Sequence, residues 1–244
     1  MSLILFGQNL LEATTSLVTV SPVANAAKPI TRIFDRDRGP QYEGGSIAQT
    51  DIDIDLGSAQ TVSAWSLINH NATGVTVTLY ADTTSPPTTV RDSFSATGVD
   101  TLRTFASLSF RYWRIRIPAL TPVPKIGEVL LGVPRTITQN PFLRTSPTVT
   151  LANVARDLSP GGFSWAVHKG AKRIRLPFGW TAMPAADITT LTALYDEVDQ
   201  GAKNLLVQDP LGTLRWMFVK TPALTPVPVG KGDVEVELEL EEAL

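Results

Sequence analysis

The stretch that decides the fold is SFRYWRIRIPALTPVPKIGEVLLG, residues 109–132. In its first part apolar and polar residues alternate, with Trp113, Ile115 and Ile117 set against Tyr112, Arg114 and Arg116. Successive side chains of a strand point to opposite faces, so this pattern predicts a strand with one buried and one wet face. A proline-rich turn, PALTPVP, follows at 118–124 and recurs at 222–228. We therefore predict two β-domains, each closed by a strand, a proline loop and a last strand.

Composition sets the class of protein. The chain has 244 residues, of which 43% are hydrophobic and 18% charged, as in an ordinary globular protein with one large or two modest domains. A formal net charge of −2 argues against a nucleic-acid binder that relies on overall basicity. The absence of cysteine excludes disulfides, thiolate metal sites and cysteine nucleophiles. We expect no membrane insertion, and we interpret the apolar N-terminus as a first strand because it lacks a basic leader region.

Further alternating stretches fill the first half of the chain. Residues 50–56 alternate between aliphatic and aspartate side chains, which predicts a half-buried strand. Other strands are expected at 3–6, 16–20, 61–68 and 75–81, with a polar turn at 69–74 and a charged loop at 30–45. The proline-rich segment 133–148 has few apolar pairs, so we place the domain boundary there and predict domains 1–135 and 136–244.

The second half is predicted to be α+β. Strands are expected at 163–167, 173–178, 204–208, 214–219 and 234–240. A helix is predicted over about 185–199, because Ile188, Leu191 and Leu194 recur at helical spacing and Gly201 lies where a C-cap belongs. The final strand alternates four aliphatic residues with four glutamates. We expect this terminal strand at a sheet edge, where it would join copies of the chain into a ring.

Motifs in the first 135 residues resemble those of one family. The segments 33–37, 52–57, 112–117 and 126–132 follow the order found in galactose-binding-like (discoidin, F5/8 type C) β-sandwiches. The resemblance implies a mostly β fold, a jelly roll of two antiparallel sheets with loops clustered at one end.

A second resemblance concerns tailed phages. The stretch INHNATGVTVTLYADTT, residues 68–84, looks like the discoidin-type domains of phage and prophage tail-tip proteins. Asp187, Leu191 and Leu194, followed by Asp209-Pro210, are similar in spacing to the C-terminal region of those proteins. The resemblance implies a structural tail component, located in the virion after assembly in the host cytoplasm. Its partners would be copies of itself in a ring and neighbouring tail proteins.

Catalytic motifs are few. The only histidines are His70, in a polar turn, and His168, at a strand end, and we expect each to be a solvated or capping residue. The pentapeptide GFSWA at 162–166 has alanine where a nucleophile elbow requires its last glycine. P-loop, dinucleotide and zincin motifs are absent from the sequence. We therefore predict that the protein is not an enzyme.

The loop around Asp35 allows two interpretations. In some carbohydrate-binding members of the resembled superfold, an acid from this loop and one from the last strand hold a structural calcium, which here implies Asp35 and Glu128. Alternatively, Arg36 and Arg38 pair with the same acids, and we favour these ion pairs. We therefore predict no cofactor and leave calcium open.

Ligand or partner contacts are predicted at four residues. Trp180, beside Gly179 and a proline-containing loop, is the expected exposed anchor, whereas Trp113 and Trp216 are expected in the core. His70, Arg114 and Arg116 complete the set of possible ligand or interface residues.

Two functions stay open. The protein is a structural tail component, or its sandwich is a carbohydrate-binding module that contacts cell-surface glycan.

Overall fold

The computed structural model describes residues 2–13, 16–98, 100–143, 148–151, 154–158, 164–168, 172–221, 224–230 and 233–243. Its strands and its α-helix are, in chain order, β1 (Leu3–Phe6), β2 (Leu17–Ser21), β3 (Tyr42–Glu43), β4 (Thr50–Ile68), β5 (Thr76–Asp82), β6 (Val90–Ser95), β7 (Thr101–Ile117), β8 (Lys125–Ile126), β9 (Glu128–Gly132), β10 (Arg135–Ile137), β11 (Phe142–Leu143), β12 (Thr148–Leu151), β13 (Val154–Leu158), β14 (Ser164–His168), β15 (Lys172–Trp180), α1 (Ala185–Glu197), β16 (Leu205–Gln208), β17 (Leu214–Val219), β18 (Val227–Gly230) and β19 (Asp233–Glu242). The predicted mostly β fold, with one main helix, is confirmed.

Some predicted features lie outside this description. Residues 162 and 163 of the GFSWA pentapeptide and residues 222 and 223 of the second PALTPVP segment are not among the described residues. Ser164 begins β14, which pairs with β13 as a two-stranded antiparallel ladder. A nucleophile elbow needs a turn between a strand and a helix, and Ser164 lies within a strand.

The chain forms two compact units. Residues Gln8–Pro134 make one, which we call the sandwich unit, and Met1–Gly7 together with Arg135–Leu244 make the other, which we call the split unit. The junction after Pro134 lies one residue from the predicted boundary. The first seven residues, however, belong to the split unit, because β1 pairs with β10 and β16 there.

The sandwich unit is built around β4. Its six-stranded sheet has the order β2-β4-β7-β5-β6, and β9 also pairs with β4. Strands β3 and β8 form a separate two-stranded sheet. The β4–β7 register shifts between Asp55 and Gln60 and again between Val62 and Ala64. Such irregularities bend a strand, so the first part of β4 pairs with β2 and the second with β9. The predicted alternation is confirmed by the core, which includes Ile52, Ile54, Trp65, Leu67, Trp113 and Ile115.

The split unit has one large antiparallel sheet. Its strand order is β10-β1-β16-β17-β19-β15-β11, with β12 paired to β15 and β18 to β19. Helix α1 packs on this sheet through Leu191 and Leu194, which share a core with Leu5, Val207, Met217 and Leu238. Gly201 follows the helix with φ +94°, and a Cβ there would lie 2.5 Å from the carbonyl oxygen of Val219, so glycine suits the position. No helix among the described residues is both long and apolar enough to cross a bilayer.

The position of the last strand differs from the prediction. Strand β19 is not at an edge, because it pairs with β15 on one side and with β17 on the other. Within this strand, buried Glu241 accepts hydrogen bonds from Arg175 and Lys220 at 2.7 and 2.8 Å. Alternation identifies the two faces of a strand but not its neighbours. The prediction of a ring depended on a terminal strand exposed at a sheet edge, and this premise is wrong.

Candidate functional site

Three acid–arginine pairs lie on the polar face of β4 and β7. The β4–β7 register places Asp53 opposite Arg114 and Asp51 opposite Arg116. Arg114 donates to both oxygens of Asp53 at 2.6 and 2.9 Å, and Arg116 donates to both oxygens of Asp51 at 2.7 and 2.8 Å. Arg111 binds Asp55 in the same two-pronged way at 2.6 and 2.8 Å. Bidentate pairs fix the planes of both groups. We call these six residues the ladder.

Two of the ladder carboxylates, Asp51 and Asp55, have lowered pKa values that favour the charged form. Burial alone would raise the pKa of Asp51, but the hydrogen bond and charge of Arg116 outweigh burial and lower it. The hydrogen bond from Arg111 lowers the pKa of Asp55. The pKa of Arg116, the partner of Asp51, is raised because it donates a hydrogen bond to that carboxylate. A carboxyl with a lowered pKa is a poor general acid at neutral pH. Asp55 is therefore suited to accepting hydrogen bonds rather than to proton transfer.

Two tyrosines stack beside the ladder. The guanidinium of Arg116 lies 5.0 Å from the ring centroid of Tyr80, and that of Arg111 lies 4.8 Å from the ring centroid of Tyr112. Cations at these distances from an aromatic face attract it and restrain its orientation. The polar face of the sheet therefore presents rings as well as charges in fixed positions.

A cleft opens where the ladder meets β2 and the 83–89 loop. It has a volume of about 140 Å³ and is lined by Leu17, Thr19, Asp53, Ile54, Asp55, Ser85, Pro87, Tyr112 and Trp113. We call it the ladder cleft. Drug-sized ligands occupy pockets of roughly 300 Å³ or more, so this cleft suits a single small ring. Its lining mixes carboxylates and hydroxyls with apolar side chains, since the pairing of β4 with β2 and β7 sets Asp55 between Leu17 and Tyr112. Leu17 is 61% exposed.

Arg114 and Arg116, which were predicted on the wet face, lie in the ladder. The expectation that His70 is solvated is wrong, because its side chain is buried. Its Nδ1 accepts the backbone N–H of Ala72 at 3.2 Å, which agrees with the capping alternative. Burial lowers the pKa of His70, although the charge of Asp100 acts in the opposite direction. A buried, neutral ring of this kind is not placed to contact a ligand.

Trp180 was predicted to be an exposed anchor, and this is wrong. The residue is fully buried, its Nε1 donates to the carbonyl of Gln139 at 2.9 Å, and its ring centroid lies 6.1 Å from that of Phe178. The β15–β19 register sets Trp180 opposite Val236, which is also in the core. The neighbouring Gly179 suggested a loop, but the segment continues as a paired strand.

Asp35 and Glu128 lie in a different environment from the predicted ion pairs. Glu128 is fully buried, and its Oε2 accepts the backbone N–H of Arg36 at 3.0 Å. Burial raises the pKa of Glu128 to about 9 against the lowering effect of the Arg36 charge, and burial also raises the pKa of Asp35. The side chain of Arg36 pairs with Glu12, and that of Arg38 lies 3.7 Å from Asp100.

These contacts bear on the calcium alternative. The second oxygen of Glu128 accepts from Asn9 Nδ2 at 3.4 Å, so N–H donors face both carboxyl oxygens. Calcium is held by six to eight oxygen ligands, whereas the described residues include no group of three or more acids or histidines that could hold a metal ion. Burial and two N–H donors describe the environment of Glu128, and the calcium alternative stays a prediction.

Comparisons with known proteins concern about half of the chain. No family model and no curated protein matches it. The module CpGH89CBM32-6 of Clostridium perfringens is 15% identical with a TM-score of 0.44, over 51% of this chain and 98% of that one. Chitosan-binding module 1 from a chitosanase/glucanase of Paenibacillus sp. IK-5 is 24% identical with a TM-score of 0.44, over 52% and 99%. A GH29 fucosidase of Ruminococcus gnavus is 17% identical with a TM-score of 0.47, over 52% of this chain and 27% of its own. All three TM-scores are below 0.5, so a function must be argued from the residues of this chain.

Proposed function

We propose that the sandwich unit is a non-catalytic glycan-binding module and that the ladder cleft holds one sugar unit. The observation that carries the proposal is the cleft itself, whose lining combines carboxylates, hydroxyl groups and aromatic and aliphatic side chains. A sugar has hydroxyl groups around its rim and C–H groups on its ring faces. The lining offers acceptors for the hydroxyl groups, and Leu17 and Tyr112 offer apolar contacts for the ring faces.

Binding follows from groups that are already held in place. Sugar hydroxyls donate to Asp53 and Asp55, whose oxygens are oriented by Arg114 and Arg111. Groups fixed before binding lose less conformational entropy when the ligand arrives. The apolar face of the sugar packs on Tyr112, whose ring is restrained by the stacked guanidinium of Arg111. One small cleft gives modest affinity, which several copies on one particle would raise through multivalency.

The test starts with the full chain on a glycan array, followed by calorimetry on each glycan that binds. Tyr112→Ser removes the aromatic wall and should weaken binding at least tenfold. Tyr80→Ser is the matched control, because Tyr80 also stacks on a ladder arginine but does not line the cleft. The proposal fails if the array shows no binding, or if the two variants lose affinity equally.

A second proposed function belongs to the split unit, which we propose is a structural part of a phage-type tail in the virion. The supporting observation is the way in which the sandwich is inserted. The chain leaves the split unit after β1 and re-enters it at β10, and these strands are antiparallel neighbours with Leu5 opposite Arg135. The split unit also has its own core. A unit that is complete without the insertion suits a separate assembly role, as the resemblance to tail-tip proteins implies.

Excision tests this second role. Residues 8–134 are deleted and Gly7 is joined to Arg135 through Asn-Gly, a turn sequence that suits a hairpin. We expect a folded product that self-associates or binds a tail protein as the full chain does. Light scattering measures the mass of each form. If both forms stay monomeric at high concentration and no tail protein converts them into an assembly, the assembly role is refuted. The proposal of glycan binding by the sandwich unit is not affected by that outcome.

A further inference from the structure

The split unit contains a second cleft with different chemistry. It has a volume of about 320 Å³ and is lined by Pro141, Leu176, Phe178, Asp209, Pro210, Leu211, Thr213 and Arg215. We call it the apolar cleft, since five of these residues have hydrocarbon side chains. Its volume is at the lower end of pockets that hold drug-sized ligands. It could therefore accommodate one or two large side chains.

Arg215 is the unusual member of this lining. Residues Met217 and Val219, which lie two and four positions further along β17, belong to the buried core. Since side chains alternate along a strand, Arg215 lies on the apolar side of the sheet. Its Nε is buried without a hydrogen-bond partner among the described residues. A buried polar group without a partner costs free energy, and since this Nε has almost no accessible surface, a ligand in the cleft would contact other atoms of Arg215.

Nearby acids do not satisfy this guanidinium. The carboxylate of Asp209, which also lines the cleft, accepts the backbone N–H groups of Leu211 and Thr213, both at 2.9 Å. Three other arginines of this unit, Arg135, Arg173 and Arg175, form ion pairs, as Arg175 does with Glu241 at 2.7 Å. Within the described part of the chain, the Arg215 side chain forms no ion pair within 4 Å. The lining of the apolar cleft thus contains one guanidinium and one carboxylate, and the carboxylate is engaged by backbone N–H groups rather than by Arg215.

The lip of the apolar cleft is held rigidly. Residues 209–213 form a tight turn in which Asp209 N–H donates to the carbonyl of Thr213 at 3.0 Å and Gly212 N–H donates to that of Asp209 at 2.8 Å. The turn presents Leu211, which is 90% exposed. Leu211 therefore adds accessible apolar surface at the rim of the cleft.

We propose that the apolar cleft binds a segment of a partner protein in which a carboxylate lies beside a large apolar side chain. The apolar side chain enters between Leu176, Phe178 and Leu211, and the carboxylate pairs with Arg215. Charge-assisted hydrogen bonds to a guanidinium are stronger than neutral ones, so the cation selects an acidic segment. A glycan would leave the apolar walls unmatched, and a single arginine gives nucleic acid too few phosphate contacts.

The experiment uses the full chain and an array of acetylated tetrapeptide amides. Each peptide carries Leu or Phe with Glu on one side or the other, and each has a counterpart with Gln in place of Glu. We expect the best Glu peptide to bind at least tenfold more tightly than its Gln counterpart. Arg215→Gln should abolish this difference, whereas Leu211→Ser should weaken both peptides. Arg32→Gln in the sandwich unit is the control and should change neither affinity.

The melting temperature of each variant shows whether it still folds. If Arg215→Gln does not fold, Arg215→Lys is measured in its place. This variant keeps the charge and should still bind Glu peptides more tightly than their Gln counterparts. The proposal is overturned if no Glu peptide binds better than its Gln counterpart, or if folded Arg215→Gln keeps the preference. It is also overturned if decanoate binds while every peptide fails, because the cleft would then take small apolar acids rather than a protein segment.

Discussion

Glu128→Gln tests whether the buried carboxyl of the sandwich unit is neutral. Glu128 is fully buried, and burial raises its pKa from 4.5 to about 9. Gln keeps the size of the side chain and an oxygen that can accept the N–H of Arg36, but it never ionises. The variant therefore removes the titration of this one group and leaves its main hydrogen bond in place.

The expected magnitude follows from proton linkage. In the unfolded chain the carboxyl ionises near pH 4.5, whereas in the folded chain it stays protonated until about pH 9. The stability that Glu128 contributes is thus complete below pH 4.5 and is lost as the pH rises through this window. Each pKa unit corresponds to about 1.4 kcal/mol. Relative to Glu128→Gln, the wild type should lose about 2–3 kcal/mol of unfolding free energy between pH 5 and pH 7.

The measurement is urea unfolding of both chains at pH 5, 6, 7 and 8 in the presence of EDTA. Contributions from other titrating groups, such as His70, are common to both chains and cancel in the difference. Equal pH dependence of the two chains would refute a neutral Glu128. A calcium site gives the opposite pattern, in which calcium raises the melting temperature of the wild type only and Glu128→Gln destabilises it. We expect neither EDTA nor calcium to shift the wild-type melting temperature.

Two further predictions concern the fold. Residues 8–134 expressed alone should fold and resist proteolysis, because they form a unit with its own core; a molten product by near-UV circular dichroism would contradict this division. Trp180→Ala should lower the unfolding free energy by about 3–5 kcal/mol, as expected for a fully buried aromatic side chain. The same substitution at a surface anchor would cost little, so a loss below about 1 kcal/mol in urea unfolding would contradict the burial of Trp180.

Local patterns in the sequence were sufficient to predict the faces of the strands. Ile52 and Ile54 are buried and their aspartate neighbours carry the ladder, because alternation along a strand is a property of the strand itself. The same argument separated Trp113 from Arg114. The candidate site was therefore half visible in the sequence, since the aspartates of β4 and the arginines of β7 occur as two alternating runs.

Pairing between distant strands could not be predicted in the same way. The register that sets Asp53 opposite Arg114 joins residues far apart in the chain, and only the folded sheet specifies it. Strand β1 was assigned to the sandwich by its position in the sequence, although it completes the sheet of the split unit. Trp180 was misplaced for a related reason, because its burial depends on pairing with β19. Long-range contacts of this kind leave little local signal.

The two clefts differ in ways that make their proposed ligands separable. In the ladder cleft every acid is paired with an arginine, so the polar groups are oriented without a net unmatched charge and suit a neutral ligand rich in hydroxyl groups. The apolar cleft has Leu176 and Phe178 as walls and one arginine whose Nε has no partner among the described residues, which suits an acidic and apolar ligand. Tyr112→Ser should therefore leave peptide binding unchanged, and Arg215→Gln should leave glycan binding unchanged. If one of these variants impaired both activities, the assignment of two independent sites would be wrong.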